Sequence, residues 1–176
     1  DEYQQIITIA AKTVAGRVPV ISSVGRSIPE AIAFAKMAEQ AGIDALLLFP
    51  PYLTECPQDG VYEYAKTIIQ NTSLPVILST EYIKKLAEAC PNLIGLKDGT
   101  GNMQDLNDTI KTIGKRLSYI GGVPTAEIIA EAYLSIGVNT YSSAAFNFVP
   151  ELANLFYKSL RAGDAATVAR ITQQFY

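Results

Sequence analysis

A lysine at the end of a short apolar run is the residue of this sequence best suited to covalent chemistry. Lys97 follows Asn92-Leu93-Ile94-Gly95-Leu96, a run typical of a buried strand. Apolar surroundings lower the pKa of a lysine, and its neutral amine can then attack a ketone to form a Schiff base. The Schiff base stabilises negative charge on the neighbouring carbon, so decarboxylation, β-elimination or carbon–carbon cleavage becomes accessible. Two simpler interpretations stay open at this point: Lys97 extends its ammonium group to solvent, or it pairs with Asp98.

Polar side chains follow two further apolar runs. Tyr52 comes after Pro50-Pro51, which fix the backbone and aim the ring either at a substrate or at a subunit contact. Ser142 and Ser143 stand at a predicted strand end, where their hydroxyls could bind a carboxylate or sugar hydroxyl, or the local backbone. Asp98 is predicted to hold a turn through backbone hydrogen bonds.

The composition excludes several classes of function. The chain has 176 residues, a net charge of -3 and no basic stripe, which argues against nucleic acid or an anionic membrane as a partner. It has no histidine, which excludes the usual zinc sites and histidine-dependent nucleophiles. There is no glycine-rich nucleotide fingerprint, so no cofactor is expected. Cys56 and Cys90 are predicted to be reduced thiols in a cytoplasmic protein.

Short apolar runs alternate with amphipathic stretches along the chain. Strands are predicted at 18–21, 45–49, 74–78, 93–96, 117–120 and 138–141. Helices are predicted at 2–14, 27–40, 60–71, 80–90, 103–113, 125–136, 150–160 and from 164 onward. Ser27 and Glu30 form a predicted capping box, and Gly42 is predicted to end the same helix. This alternation predicts a parallel α/β fold in which strand ends carry the site.

The predicted domain is a single barrel over 1–176 that lacks some parts. A closed barrel has eight strands in about 250 residues, whereas about six β-α units are represented here. The predicted strand ending at Leu78 runs without a turn into the helix start at Ser79, so a loop is predicted to be missing between 78 and 79. The first strands are predicted to be missing before Asp1. The alternative is a genuine tight junction in a small open sheet.

Four stretches resemble those of a known enzyme family. They are Leu47–Glu55, Pro91–Gly99, Tyr119–Gly122 and Thr140–Pro150. Together they resemble the 5-dehydro-4-deoxyglucarate dehydratases, which belong to the dihydrodipicolinate synthase/N-acetylneuraminate lyase superfamily of class I aldolase-like barrels. The resemblance covers nearly the whole chain in order.

The resemblance implies a (β/α)8 TIM barrel, a hydro-lyase activity and a lysine Schiff base. The implied reaction converts 5-dehydro-4-deoxy-D-glucarate, a 2-keto sugar diacid, to 2,5-dioxopentanoate, water and carbon dioxide. Lys97 would form the imine, and a homotetramer built from two dimers would place the Tyr52 loop near the dimer contact. The residues that would line the substrate pocket are Gly121, Gly122, Ser142 and Ser143.

The sequence departs from the superfamily pattern after Leu78, where a proton-shuttling tyrosine is expected and not found. An early carboxylate-binding loop is also absent. Two alternatives therefore stay open: a pyruvate-dependent class I aldolase or synthase that uses the same lysine, and an inactive truncated barrel that acts as a binding module.

Overall fold

The computed structural model describes residues 2–51, 56–78 and 83–175. Strands and helices alternate through these residues, and every described strand pair is parallel. The chain divides into two compact units. The first contains residues 1–97 and 115–117, and the second contains residues 98–114 and 118–176.

The described residues of the first unit contain four parallel strands, in which the first pairs with the second, the second with the third and the third with the fourth. Its elements are α1 (Glu2–Val14), β1 (Ile21–Val24), α2 (Ile28–Ala41), β2 (Ala45–Leu48), α3 (Gln58–Gln70), β3 (Val76–Leu78), α4 (Ile83–Ala89) and β4 (Leu93–Asp98, whose last residue belongs to the second unit). The register pairs Ile21 with Ala45 and Leu46 with Val76. It shifts between Val76 and Ile77, which pair with Leu93 and Gly95 of β4.

The second unit carries two parallel strands and four helices. They are α5 (Met103–Ile113), β5 (Ser118–Gly121), α6 (Ala130–Ser135), β6 (Thr140–Tyr141), α7 (Pro150–Ala162) and α8 (Ala165–Thr172). The β5–β6 register pairs Ile120 with Thr140. Helices α6, α7 and α8 share a core in which Phe156 and Ile171 are fully buried.

Helix α2 begins and ends where its local sequence predicts. The Ser27 side chain accepts the backbone N–H of Glu30, and the Glu30 carboxylate accepts the backbone N–H of Ser27. This capping box satisfies two N–H groups that have no partner within the helix. Gly42 ends the helix with φ at 77°, in the left-handed region that glycine enters without steric cost. Both predictions are confirmed.

Two predicted elements differ in the structure. Strand β1 begins at Ile21, three residues later than predicted, because Val18 is 59% exposed and the Val20 N–H donates to the Asp44 carboxylate. The predicted helix at 125–136 begins as a 3₁₀ turn over Ala126–Ile129 before α6 continues.

Strand β4 is fixed at its start by two polar side chains. The Asn92 amide donates to the carbonyls of Ile69, Thr72 and Leu74 at 3.0 to 3.3 Å. The Arg116 guanidinium donates to the carbonyls of Leu93, Ala87, Cys90 and Pro91, the shortest bond being 2.8 Å. The carbonyl of Ala87 lies in the last turn of α4, where the helix supplies no donor, and Arg116 supplies one. The bonds from Asn92 and Arg116 hold the strand that carries Lys97.

Candidate active site

Lys97 is the penultimate residue of β4, at the carboxyl end of the strand. The preceding residue, Leu96, is buried, and Lys97 itself is half-buried. Within the described residues the Lys97 side chain makes no hydrogen bond or ion pair. A lysine side chain that none of these residues engages is accessible to a ligand.

The Asp98 carboxylate organises the turn that follows β4. It is buried, and it accepts hydrogen bonds from the Thr100 hydroxyl at 2.7 Å, the Thr100 N–H at 3.1 Å and the Gly101 N–H at 3.2 Å. Its backbone carbonyl accepts the Gly122 N–H at 2.7 Å. The interpretation of Asp98 as a turn-holding residue is therefore confirmed, and its carbonyl joins this turn to Gly122 within the second unit.

Gly121 is a glycine because an aromatic ring occupies the space of its missing side chain. A Cβ atom built on Gly121 would lie 2.4 Å from Cε2 and 2.6 Å from Cδ2 of Tyr133, whereas non-bonded carbons prefer about 3.5–4.0 Å. Tyr133 is fully buried. Burial raises the pKa of its phenol, and the nearby Asp98 charge adds to that rise, so Tyr133 is neutral. The close approach of this ring accounts for Gly121 without reference to a substrate.

Ser142 and Ser143 follow β6 and make different contacts. The Ser142 N–H donates to the Gly121 carbonyl at 2.8 Å, and the Ser142 hydroxyl donates to the same oxygen at the longer distance of 3.4 Å. The Ser143 hydroxyl bonds to the carboxylate of Glu127 and accepts the Phe146 N–H at 3.0 Å. Both serine hydroxyls thus have partners within the second unit.

A cavity of about 250 Å³ lies between β6 and α7 in the second unit. Thr140, Tyr141 and Ser143 line it from the strand side, and Asn154 and Tyr157 line it from the helix. Burial raises the pKa of Tyr141, and the charge of Glu127 raises it further, so this phenol also stays protonated. Among the described residues, hydroxyl and amide groups line the cavity and no cationic side chain does.

The first unit has a larger cavity of about 590 Å³ at the carboxyl ends of β1 and β2. Its lining includes Ser23, Arg26 and Phe49. Arg26 has φ at 67°, a left-handed conformation that is uncommon outside glycine. Its guanidinium lies 4.0 Å from the Glu30 carboxylate, with both side chains well exposed.

The predicted site residues are thus distributed between the two units. Gly121, Gly122, Ser142 and Ser143 lie together at the carboxyl ends of β5 and β6 in the second unit, whereas Lys97 belongs to the first. Tyr52 lies outside the described residues, as do residues 79–82 at the predicted missing loop, so both predictions stay predictions.

The sequence interpretation missed Glu127, which is only 5% exposed although it carries a carboxylate. An acidic residue in the first turn of a helix is ordinary, so its spacing gave no sign of burial.

Cys56 and Cys90 are both free thiols.

Comparison with known proteins places the chain in a family. The sequence model of the dihydrodipicolinate synthetase family matches residues 1–176. The chain belongs to this family. It is 48% identical over 178 residues to a probable 5-dehydro-4-deoxyglucarate dehydratase of Rhizobium meliloti strain 1021, a match that covers 97% of this chain and 59% of that protein. The chain thus spans about three fifths of the length of the curated relatives it matches.

Two solved structures illustrate the shared fold. The dihydrodipicolinate synthase of Aquifex aeolicus matches with a TM-score of 0.88 and 26% identity over 98% of this chain and 62% of its own. A prophage protein of the dihydrodipicolinic acid synthase family from E. coli K12, in complex with pyruvate, matches with a TM-score of 0.86 and 26% identity over the same shares. The predicted α/β fold of the TIM-barrel type is confirmed. In the described part of the chain, no helix has the length and apolar character needed to cross a membrane.

Proposed function

We propose that the protein is a decarboxylating hydro-lyase that acts on 5-dehydro-4-deoxy-D-glucarate through a Schiff base on Lys97. The observation that carries this proposal is the position of Lys97 at the carboxyl end of a parallel strand, half-buried and without a hydrogen-bond or ion-pair partner among the described residues. Relatives that are 43% to 48% identical and bear the dehydratase name support the choice of substrate.

The chemistry follows from what an imine does to its neighbours. The Lys97 amine attacks the ketone carbon, water leaves, and an iminium ion forms. Loss of a proton from the adjacent methylene gives an enamine, which expels the hydroxyl of the next carbon as water. The resulting conjugated iminium accepts the electron pair of the bond to the distal carboxylate, which leaves as carbon dioxide. Protonation and hydrolysis release 2,5-dioxopentanoate and free Lys97, so the dianionic substrate and one proton yield a monoanion, water and carbon dioxide.

The remaining predicted roles are part of the same proposal. Gly121, Gly122, Ser142 and Ser143 are proposed to line the substrate pocket, and Tyr52 to hold a substrate oxygen or relay a proton. The proposed assembly is a homotetramer built from two dimers, which analytical ultracentrifugation of the native protein would test.

Borohydride trapping tests the imine directly. The native protein is incubated with 5-dehydro-4-deoxy-D-glucarate and borohydride, digested, and mapped by mass spectrometry. We expect one stable secondary amine, on the peptide that contains Lys97. Lys97→Ala is expected to lose both the adduct and the release of carbon dioxide.

Lys84→Ala is the matched control, because Lys84 is an exposed lysine of α4 in the same unit. It should keep the adduct and the activity. An adduct on another lysine, or full activity in Lys97→Ala, would show that Lys97 is not the imine-forming residue.

A pyruvate-dependent aldolase or synthase is the second candidate, supported by the pyruvate bound to the E. coli relative. It would use the same imine. Trapping with pyruvate, condensation with an aldehyde and no release of carbon dioxide from the sugar diacid would favour this candidate over the dehydratase.

A further inference from the structure

Glu127 is a buried carboxylate to which neither the sequence interpretation nor the proposed reaction gives a role. It is 5% exposed and sits in the 3₁₀ turn after β5. A carboxylate is placed in such surroundings only where a partner stabilises it, because desolvating an unpaired charge is costly. Its hydrogen-bond partner here is the hydroxyl of Ser143, sixteen residues further along the chain.

The Ser143 hydroxyl uses its one hydrogen and one of its two lone pairs inside the protein. A serine hydroxyl has one hydrogen to donate, and Ser143 donates it to the side chain of Glu127. Its oxygen also accepts the backbone N–H of Phe146 at 3.0 Å. Phe146 lies in the short 3₁₀ turn Ala145–Asn147, so this bond closes the start of the segment between β6 and α7. Glu127 thereby fixes that segment through Ser143.

The Ser142 side chain points in a different direction from that of Ser143, and its hydrogen bond is weaker. Ser143 lines the cavity beside α7, whereas the Ser142 side chain turns back toward the Gly121 carbonyl, on the side of the predicted substrate glycines. At 3.4 Å its hydrogen bond to that carbonyl is long and weak. A hydroxyl held this loosely can rotate to a ligand at little cost, whereas one held by a buried carboxylate cannot.

We infer that Glu127 is a positioning residue that holds segment 142–149 through Ser143, and that Ser142 is the serine whose hydroxyl contacts the substrate. The inference rests on the proposed function for its substrate, the sugar diacid. The positioning role of Glu127 rests on protein contacts alone, so the two can fail separately.

Amide hydrogen exchange tests the positioning role without a substrate. Under conditions where the protein is folded, we expect Glu127→Ala and Ser143→Ala each to speed exchange of the Phe146 amide by about tenfold or more relative to the native protein. Ser143→Ala removes the acceptor of that amide, and Glu127→Ala removes the group that holds the acceptor in place. The double variant should exchange no faster than the faster single variant, because both act on one linked set of bonds. Glu127→Gln keeps an acceptor for Ser143 and should restore most of the protection. Ser142→Ala should leave this exchange unchanged.

Kinetics with 5-dehydro-4-deoxy-D-glucarate test the division between the serines. Ser142→Ala is expected to raise KM by about tenfold through loss of one substrate hydrogen bond. Glu127→Ala and Ser143→Ala should lower kcat, with non-additive effects in the double variant. Glu131→Ala is the control, because Glu131 is an exposed acid at the start of α6, and it should match the native protein in both assays.

Each result decides a separate point. Unchanged Phe146 exchange in Glu127→Ala, additive effects in the double variant, or no rescue by Gln would overturn the positioning role. A larger KM increase in Ser143→Ala than in Ser142→Ala would overturn the assignment of the substrate serine. If the native protein does not turn over the sugar diacid, the proposed function fails, while the exchange data still decide the role of Glu127. Should Glu127→Ala fail to fold, Ser143→Ala and Glu127→Gln carry the same comparison.

Discussion

Replacing Gly121 with alanine should destabilise the protein through a single contact. The added Cβ would lie 2.4 Å from Cε2 of Tyr133, so the ring would have to retreat by about 1 Å to reach ordinary carbon–carbon contact. Tyr133 is fully buried, and protein interiors are close-packed, so we expect movement of its ring to displace its neighbours. Overpacking of this kind costs about 1–3 kcal/mol, so we expect Gly121→Ala to lower the free energy of unfolding by that amount.

Equilibrium unfolding in urea, at one fixed protein concentration, measures the effect. Gly99→Ala is the matched control, because a Cβ at Gly99 meets nothing within 4 Å. It should change the unfolding free energy by less than about 0.5 kcal/mol.

A double-mutant cycle identifies the cause. Tyr133→Ala removes the ring and should by itself cost about 3–5 kcal/mol, as loss of a buried aromatic does. Adding Gly121→Ala to that variant should cost almost nothing more, because the clash has gone. An equal cost of Gly121→Ala with and without the Tyr133 ring would refute the steric explanation.

Two further predictions concern polar side chains of the first unit. Hydrogen bonds from the Thr72 hydroxyl and the Ser73 N–H lower the pKa of Glu39 from its ordinary value of 4.5. These bonds stabilise the folded state above pH 4.5, and the contribution is lost as pH falls through the lowered pKa. Glu39→Gln should therefore be less stable than the native protein by roughly 1 kcal/mol at neutral pH, and this difference should disappear in acid. Urea unfolding at several pH values measures the difference, with Glu88→Gln as the exposed control. A difference in stability that does not change with pH would contradict the assignment. Arg116→Met should cost about 1–2 kcal/mol, because the hydrogen bonds from Arg116 to four carbonyls are lost, while Lys115→Met should be close to neutral in thermal unfolding. Equal shifts in these two variants would show that the bonds to Arg116 add nothing.

The sequence alone determined the features that depend on neighbouring residues. The bounds of α1 and α5, the Ser27 capping box and the Gly42 helix end all agree with prediction, because a helix start or end is decided by side chains three or four residues away. The Asp98 turn belongs to the same group, since its partners Thr100 and Gly101 follow within three residues. Lys97 could be singled out for a related reason, because the adjacent apolar residues alone place it at the end of a predicted strand.

The tertiary structure decided everything that depends on a partner far along the chain. Strand β1 starts at Ile21 because its pairing with β2 sets the register, and no local pattern encodes that partner. The buried Glu127 has Ser143, sixteen residues along the chain, as its hydrogen-bond partner, and the glycine at position 121 is explained by the ring of Tyr133. The two serines look equivalent in the sequence, and only their surroundings separate a hydroxyl held by a carboxylate from one that can turn. Local sequence limits the backbone of each element, whereas packing between elements assigns each polar side chain its partner.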